Sequence, residues 1–397
     1  MRESREYLVP DYYPGFACKM GACRASCCEG WTVSLSMEDY FLMLGVACSE
    51  PLRRKLDVAL GLADNPSPEK YAEIRHRYDG NCPLRLEDGR CAVPAELGEG
   101  ALPCVCRLYP RAVRSEGDYE RSCAGSCEAV VERLLHHPEP LTFLRRTYPE
   151  EPWTGGRTLF FESVPLEQRL RMDLIRIVQD RSAPIPCRLM ALGRRLRRFE
   201  ELIPLGPASI ARELDAPQND ASSVCGDPSG GDDPVFSVTP EQLAFGLRVV
   251  EEMAGLIDQR SVSLRDFGDA ARAYFGSDGR ELERYRRARR HFETAFPQWE
   301  SFCENLLVNH MFYSRFPFAD GSESLQDEFL AICAVYALLR FLFVGWMAER
   351  EDEESLVDAA AAAFRLIDHT LFHRYSARIL SGLNCRTPEE VFAVISL

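Results

Sequence analysis

Histidine is scarce in this chain: seven occur in 397 residues, the first at His76, which leaves little for a histidine-rich metal site. Positive charge is also short. Lys plus Arg total 47 against 61 Asp plus Glu, a formal charge of −14, so no global attraction to nucleic acid or anionic lipid is expected. No G-x-G-x-x-G follows a strand and no βαβ series is visible, so nothing supports a Rossmann-type nucleotide site. The opening Met1-Arg2-Glu3-Ser4-Arg5-Glu6-Tyr7 mixes charges and has no apolar h-region, so no secretory signal is expected and the expected compartment is the cytoplasm. Long apolar runs are missing with one exception, Phe329 to Met347, which is nearly long enough to span a bilayer. Arg340 near its centre would cost about 2.5–3.5 kcal/mol on insertion, and acidic Asp327, Glu328 and Glu349 to Glu354 flank it. The run therefore reads as the buried central helix of an α-domain, with no membrane partner.

What the chain has in excess is cysteine. Of 16, 11 fall in the first 127 residues: Cys18, Cys23, Cys27, Cys28, Cys48, Cys82, Cys91, Cys104, Cys106, Cys123 and Cys127. In a reducing compartment a dense cysteine framework in a long chain points to metal before disulfides. Cys18, Cys23 and Cys27-Cys28 follow the spacing C-x4-C-x3-C-C. Loops of that length let successive thiolates converge on one centre, whereas adjacent cysteines close on each other only through a strained peptide. Cysteine-only ligation fits tetrahedral zinc or an iron–sulfur cluster. A second group follows at Cys82, Cys91, Cys104, Cys106 and Cys127, and spacing leaves open whether the thiols share one centre or form two.

The rest of the chain is organised differently. Residues 1–135 are punctuated by Gly and Pro, which predicts short, loop-connected helices, with Met37 to Leu44 and Pro51 to Leu62 the clearest. Beyond them Leu166, Leu170, Leu174, Ile175 and Val178 recur at helical spacing, as do Leu243, Leu247, Val250, Ala254 and Ile257. Further helices are expected at about 280–294, 298–311, 324–349, 352–372 and 387–396. The predicted fold is mainly α: a cysteine-rich, loop-rich, metal-binding N-terminal region (1–135), a helical connecting region (136–215), a flexible linker (216–234, with an incidental Cys225) and an α-helical domain (235–397). Two arginine stretches, Arg194 to Arg198 and Arg284 to Arg290, read as solvated helix faces paired with Glu200, Glu201, Glu281 and Glu283 more readily than as an anion-binding surface.

The run Cys23-Arg24-Ala25-Ser26-Cys27-Cys28-Glu29-Gly30-Trp31, then Cys82-Pro83-Leu84, Asp88-Gly89-Arg90-Cys91, Glu96-Leu97-Gly98-Glu99, Cys106-Arg107-Leu108-Tyr109-Pro110-Arg111 and Ser126-Cys127 resembles the CxxCxxCC cysteine-rich family and, within it, the flagellin lysine N-methylases. Asn305-Leu306-Leu307 and Phe316-Pro317-Phe318 are similar to the C-terminal α-region of those enzymes. The resemblance implies an iron–sulfur cluster, four-iron in type, supporting methyl transfer from S-adenosylmethionine to lysine ε-amino groups of flagellin. It implies as metal ligands Cys18, Cys23, Cys27, Cys28, Cys82, Cys91, Cys106 and Cys127, with Cys23, Cys27, Cys28 and Cys106 foremost and zinc the alternative metal. Cys48, Cys104 and Cys123 lie outside the pattern. A four-iron cluster takes four thiolates, so the surplus binds a second metal or lines the core.

Trp31 is expected to pack against the cluster loop, and Arg111 to neutralise cluster charge, pair with a cofactor carboxylate or form a structural ion pair. A polar transfer needs a base for the cationic lysine. Tyr12, Tyr13, Glu29 and Asp39 lie near the cluster in sequence, and none is selected by it. No catalytic or cofactor-binding residue is assigned. The competing readings are a metal-scaffolded protein-binding module without chemistry and a redox protein.

Overall fold

The computed structural model describes residues 3–30, 32–114, 119–150, 161, 163–216, 239–253, 264–319, 324–385 and 387–395. Trp31, residues 217–234 of the expected linker with Cys225, and Ala254 and Ile257 of the second helical stripe lie outside the described residues. The chain is mainly helical, with most helices in the C-terminal part and strands and loops in the N-terminal part. The first part runs β1 (Ser4–Pro10), β2 (Val33–Leu35), α1 (Met37–Gly45), α2 (Glu50–Ala59), β3 (Leu60–Leu62), β4 (Ala72–Ile74), α3 (Ala92–Leu97), α4 (Cys104–Leu108), β5 (Arg111–Arg114), β6 (Glu120–Cys123), α5 (Glu128–Leu135) and β7 (Phe143–Pro149). Then come α6 (Val164–Val178), α7 (Ile185–Leu202), α8 (Pro207–Asp215), α9 (Pro240–Met253), α10 (Leu264–Phe275), α11 (Glu281–Ala295), α12 (Trp299–Ser314), α13 (Leu325–Trp346), α14 (Glu353–His369), α15 (Phe372–Gly382) and α16 (Pro388–Ile395).

Two hydrophobic cores result. The large one joins the sheet β5-β6-β1-β7 to the helices, from Tyr7 and Val9 through Phe302 to Ile395. Its sheet crosses the expected boundary at residue 135. β7 pairs antiparallel with β1 from Ser4 against Pro149 to Pro10 against Phe143, inside a stretch expected to be helical. Its side chains alternate poorly between exposed and half-buried, so the two-residue period that betrays a strand in sequence is missing. The small core gathers Val33, Leu35, Met43, Leu52, Leu56, Ile74, Leu84 and Val93 around the sheet β2-β4-β3. Ser36 caps α1 by accepting the Asp39 N–H at 3.1 Å, and Ser49 caps α2 by accepting from Leu52. The predicted helix 51–62 stops at Ala59. Leu60 to Leu62 instead pair with β4, and a Cβ on Gly61 would strike the Arg75 side chain at 1.9 Å.

α13 is the axis of the helical part and packs against α7, α9, α10, α12, α14, α15 and α16. It is long and apolar enough to cross a membrane, yet 94% of its apolar window is buried against the chain itself, as a core helix requires. Arg340, fully buried, donates to Glu293 Oε1 at 2.6 Å and lies 3.9 Å from the Trp299 ring centroid. Ion pair and ring together replace the water the guanidinium gives up. Neighbouring helices come close where a side chain is missing: a Cβ on Gly246 would lie 2.2 Å from the Phe341 ring.

Candidate functional site

The eight motif thiols hang on short loops fastened to both cores, and none is disulfide-bonded. The Cys82 N–H donates to the Cys28 carbonyl at 2.9 Å, Arg85 forms an isolated bridge with Cys91, and Ala92 N–H donates to Leu84 O at 2.8 Å. These bonds hold Cys28, Cys82 and Cys91 against the small core, together with Cys48. Cys106, on α4, lies within electrostatic reach of Cys28, Cys82 and Cys91. The second set is Cys18, Cys23 and Cys127, each within reach of the others, with Cys127 packed against the large core. Cys27 stands between the sets: its thiol is hydrogen-bonded to that of Cys28 and also feels Cys106 and Cys127.

Burial pushes the thiols of Cys23 and Cys82 up to about 12 and those of Cys91 and Cys127 up to about 11. Cys28 goes the other way, to about 7, because the Cys27 thiol donates to it. Among the described residues no three Cys, His, Asp or Glu side chains sit close enough to hold an ion. The donor set itself, unpaired soft thiols brought into two neighbouring groups, fits a thiolate-ligated metal, whose binding would drive off the protons that burial now retains.

The loop Cys123 to Cys127 joins these thiols to the helices. Asn309 of α12 donates to Cys123 O at 3.1 Å, and Asn305 one turn earlier donates to Leu134 O and His137 O. From α14, the buried Arg365 donates to Ala25 O at 2.8 Å and to Ser126 O at 3.3 Å. The Ser126 hydroxyl lies 3.0 Å from His369 Nε2 and 3.2 Å from Tyr109 OH. Phe364 closes on Gly125, where a Cβ would meet its ring at 2.7 Å. Glu128, at the first turn of α5 and 1% exposed, accepts Lys19 Nζ at 2.6 Å, the Arg24 N–H at 2.8 Å and the Ala25 N–H at 3.2 Å. Arg24 in turn donates to Asp358 of α14 at 2.9 Å. Charge-assisted bonds of this kind contribute about 1.5–3 kcal/mol each. Burial holds His369 below its ordinary range, so it sits neutral in this network.

The other sequence candidates have structural employment. Arg111 stacks over Phe16, 4.8 Å from the ring centroid, and donates to the Phe16 carbonyl. Tyr12 donates to Asn309 Oδ1, and burial pushes its phenol up, as it pushes Tyr13 to about 12, the wrong direction for a base. Asp39 accepts the Cys104 N–H at 3.1 Å, and Glu29 is buried 4.0 Å from Arg85. Cys123 is a fully buried wall of the large core. The arginine stretches are ion-paired: Arg195 with Asp173 and Glu213, Arg198 with Glu201, Arg284 with Asp278 and Arg289 with Glu293. Sequence reading missed the grip from α12 and α14. Its signal was faint: Asn305, Asn309 and Arg365 are polar residues set inside apolar helical runs.

The helical part is recognisable by family. Residues 171–382 match the FliB lysine N-methylase C-terminal domain, and the chain belongs to that family. It is 29% identical over 163 residues to proteins named lysine-N-methylase from Salmonella typhimurium and Salmonella choleraesuis, covering 41% of this chain and 39% of each relative. It is 29% identical over 134 residues to the flagellar biosynthetic protein FliU of Salmonella muenchen, 33% of this chain and 78% of that one. The chain thus spans about 39% of the length of the lysine-N-methylases it matches. No solved structure matches it.

Proposed function

We propose that this chain is a cytoplasmic protein-lysine N-methyltransferase that moves methyl groups from S-adenosylmethionine to surface lysine ε-amino groups of flagellin. Membership of the lysine N-methylase family and the names of its relatives support the reaction class, and the name of the flagellar relative supports the acceptor. The observation that carries the reading is the grip of Arg365 and His369, inside the matched segment, on the Ala25 and Ser126 loops that bear the cysteines. The loops that bear the thiols are thereby held against the family domain.

Cys18, Cys23, Cys27, Cys28, Cys82, Cys91, Cys106 and Cys127 would hold the metal, an iron–sulfur cluster of the four-iron type with zinc as the alternative. When bound, such a cluster supplies redox-active, Lewis-acidic iron beside the junction. The chain's own part is to keep that region dry through Phe16, Phe364 and Tyr109, and to orient the loops through Glu128 and Arg365. The test is incubation of the metal-reconstituted chain with flagellin and S-adenosylmethionine, followed by intact-mass analysis of the flagellin. Successive mass steps of one methyl group are expected. Unmodified flagellin after incubation with chain shown to carry its metal would overturn the reading. Visible brown absorbance in the anaerobically purified protein separates iron–sulfur from colourless zinc.

A further inference from the structure

We propose that His310 takes the proton that the acceptor lysine must lose before its nitrogen attacks a methylsulfonium donor, with Asp368 as the positioning residue that holds it. The proposal rests on the methyltransferase reading above. His310 follows Asn309 on α12, and Asp368 precedes His369 on α14, so the pair sits one residue beyond the clamps that hold the cysteine loop from each helix. Phe364, which closes on Gly125, lies 5.6 Å ring to ring from His310 and ties the pair to the same junction.

The geometry has the parts of a base. His310 Nδ1 lies 3.2 Å from Asp368 Oδ1, the carboxylate side chain is 1% exposed, and the imidazole is 16% exposed. A buried carboxylate on Nδ1 fixes the tautomer that protonates Nδ1 and leaves the lone pair on Nε2. Among the described residues Nε2 has no hydrogen-bond partner. Asp368 Oδ2 is buried and likewise has none, so one carboxylate oxygen is left with acceptor capacity beside the imidazole. The surrounding ionisable groups are Tyr313 on the same helix with Arg114 beyond it, His369 and Arg365 on α14, His373 and Arg374 from α15, and Asp327 at the start of α13.

A lysine side chain with an ordinary pKa of about 10.4 is neutral in only about one molecule in a few thousand at pH 7. In the proposed step the ammonium proton passes to His310 Nε2. The freed nitrogen pair forms the N–C bond to the methyl carbon, and the C–S bond breaks with its electrons going to sulfur, which becomes a neutral thioether. His310 then releases the proton to water. No electron changes hands.

The experiment measures methyl transfer by the full, metal-loaded chain, with flagellin and S-adenosylmethionine, from about pH 6.5 to about pH 9.5. His310→Gln should lose about 10²- to 10⁴-fold in kcat near neutrality. The loss should shrink by about tenfold per pH unit as the lysine deprotonates unaided. Asp368→Asn serves as the second variant, and the only one if His310→Gln fails to fold. It should lower kcat by about 10- to 100-fold with KM and Tm unchanged. A pH-independent loss accompanied by a lower Tm would mean that the pair merely pins α12 to α14, and full activity in either variant would also overturn the proposal. An inactive unchanged chain would remove the methyltransferase reading itself, an outcome distinct from active chain with indifferent variants.

Discussion

The two cores of this chain differ in what they can support. The small core around β2-β4-β3 has twelve buried apolar side chains, three of them alanine and one of them Cys82. α13 alone buries eighteen residues. The small region also leaves Met37, Phe41, Leu42, Val58, Leu62 and Val105 exposed, while the helical part exposes few large apolar residues among those described. A core that small rarely sustains itself without a staple, and thiols lie along its edge. The helical part, by contrast, is organised by extensive apolar burial, with a few buried ion pairs such as Arg188 with Glu304 inside it. One region thus has little apolar area of its own and leans on docking against the other.

That comparison breaks most visibly under truncation in each core. Phe341, buried between α9 and α10 against Gly246 and Phe275, should cost about 3–5 kcal/mol as Phe341→Ala. The whole chain should then melt at lower temperature, with or without metal. Leu56→Ala in the small core should cost about 2–5 kcal/mol, felt as faster local proteolysis of residues near 32–110 than of the helical part. Metal should protect that segment in the unchanged chain, and chelation should expose it. Equal resistance of both regions to protease after chelation would contradict the asymmetry.

A smaller effect comes from the junction. Arg365→Met removes the donor to Ala25 O and Ser126 O but keeps the length of the side chain. It should cost about 1.5–3 kcal/mol, since two buried carbonyls lose a charged donor. Differential scanning calorimetry should show the two regions melting as separate transitions in this variant, where the unchanged chain melts as one. A single unaltered transition would mean that the bonds from α14 do not couple them.

How much of this was legible follows from where each signal lives. The axis α13 was readable because an apolar run of that length with one central arginine has few other homes, and Arg340 duly sits fully buried, paired with the half-buried Glu293. The thiols were readable as a group because cysteine spacing is a local property. β1 and β7 were not readable as a pair, since partners as far apart as Ser4 and Pro149 leave no local trace. Asn309, Arg365 and His369 were invisible for the same reason: what defines them is the loop they meet, 186 residues upstream in the case of Asn309 and Cys123.

The smallest expected effect lies on the surface of α11. The Arg284 guanidinium beside Asp278 holds that carboxyl at about 2, below its usual 3.8. Because the folded value is the lower one, the unfolded chain binds more protons in between, so the pair's contribution is fully present above the usual value and is lost as pH falls through about 2. Arg284→Gln should therefore lower Tm slightly at about pH 6 and leave it unchanged only well below the folded value, at about pH 1. An equal drop at both values would assign Arg284 a packing role instead.

A single functional unit built from both regions is tested most directly by hydrogen exchange on the unchanged chain with and without bound metal. Metal should raise protection together in residues 18–28, 82–106 and 123–127, and the increase should extend into α14 at the turns carrying Arg365 and His369, while the centre of α13 stays as slow as before. Protection confined to the cysteine loops, with α14 indifferent to metal, would contradict the coupling of the thiol region to the methylase-family domain.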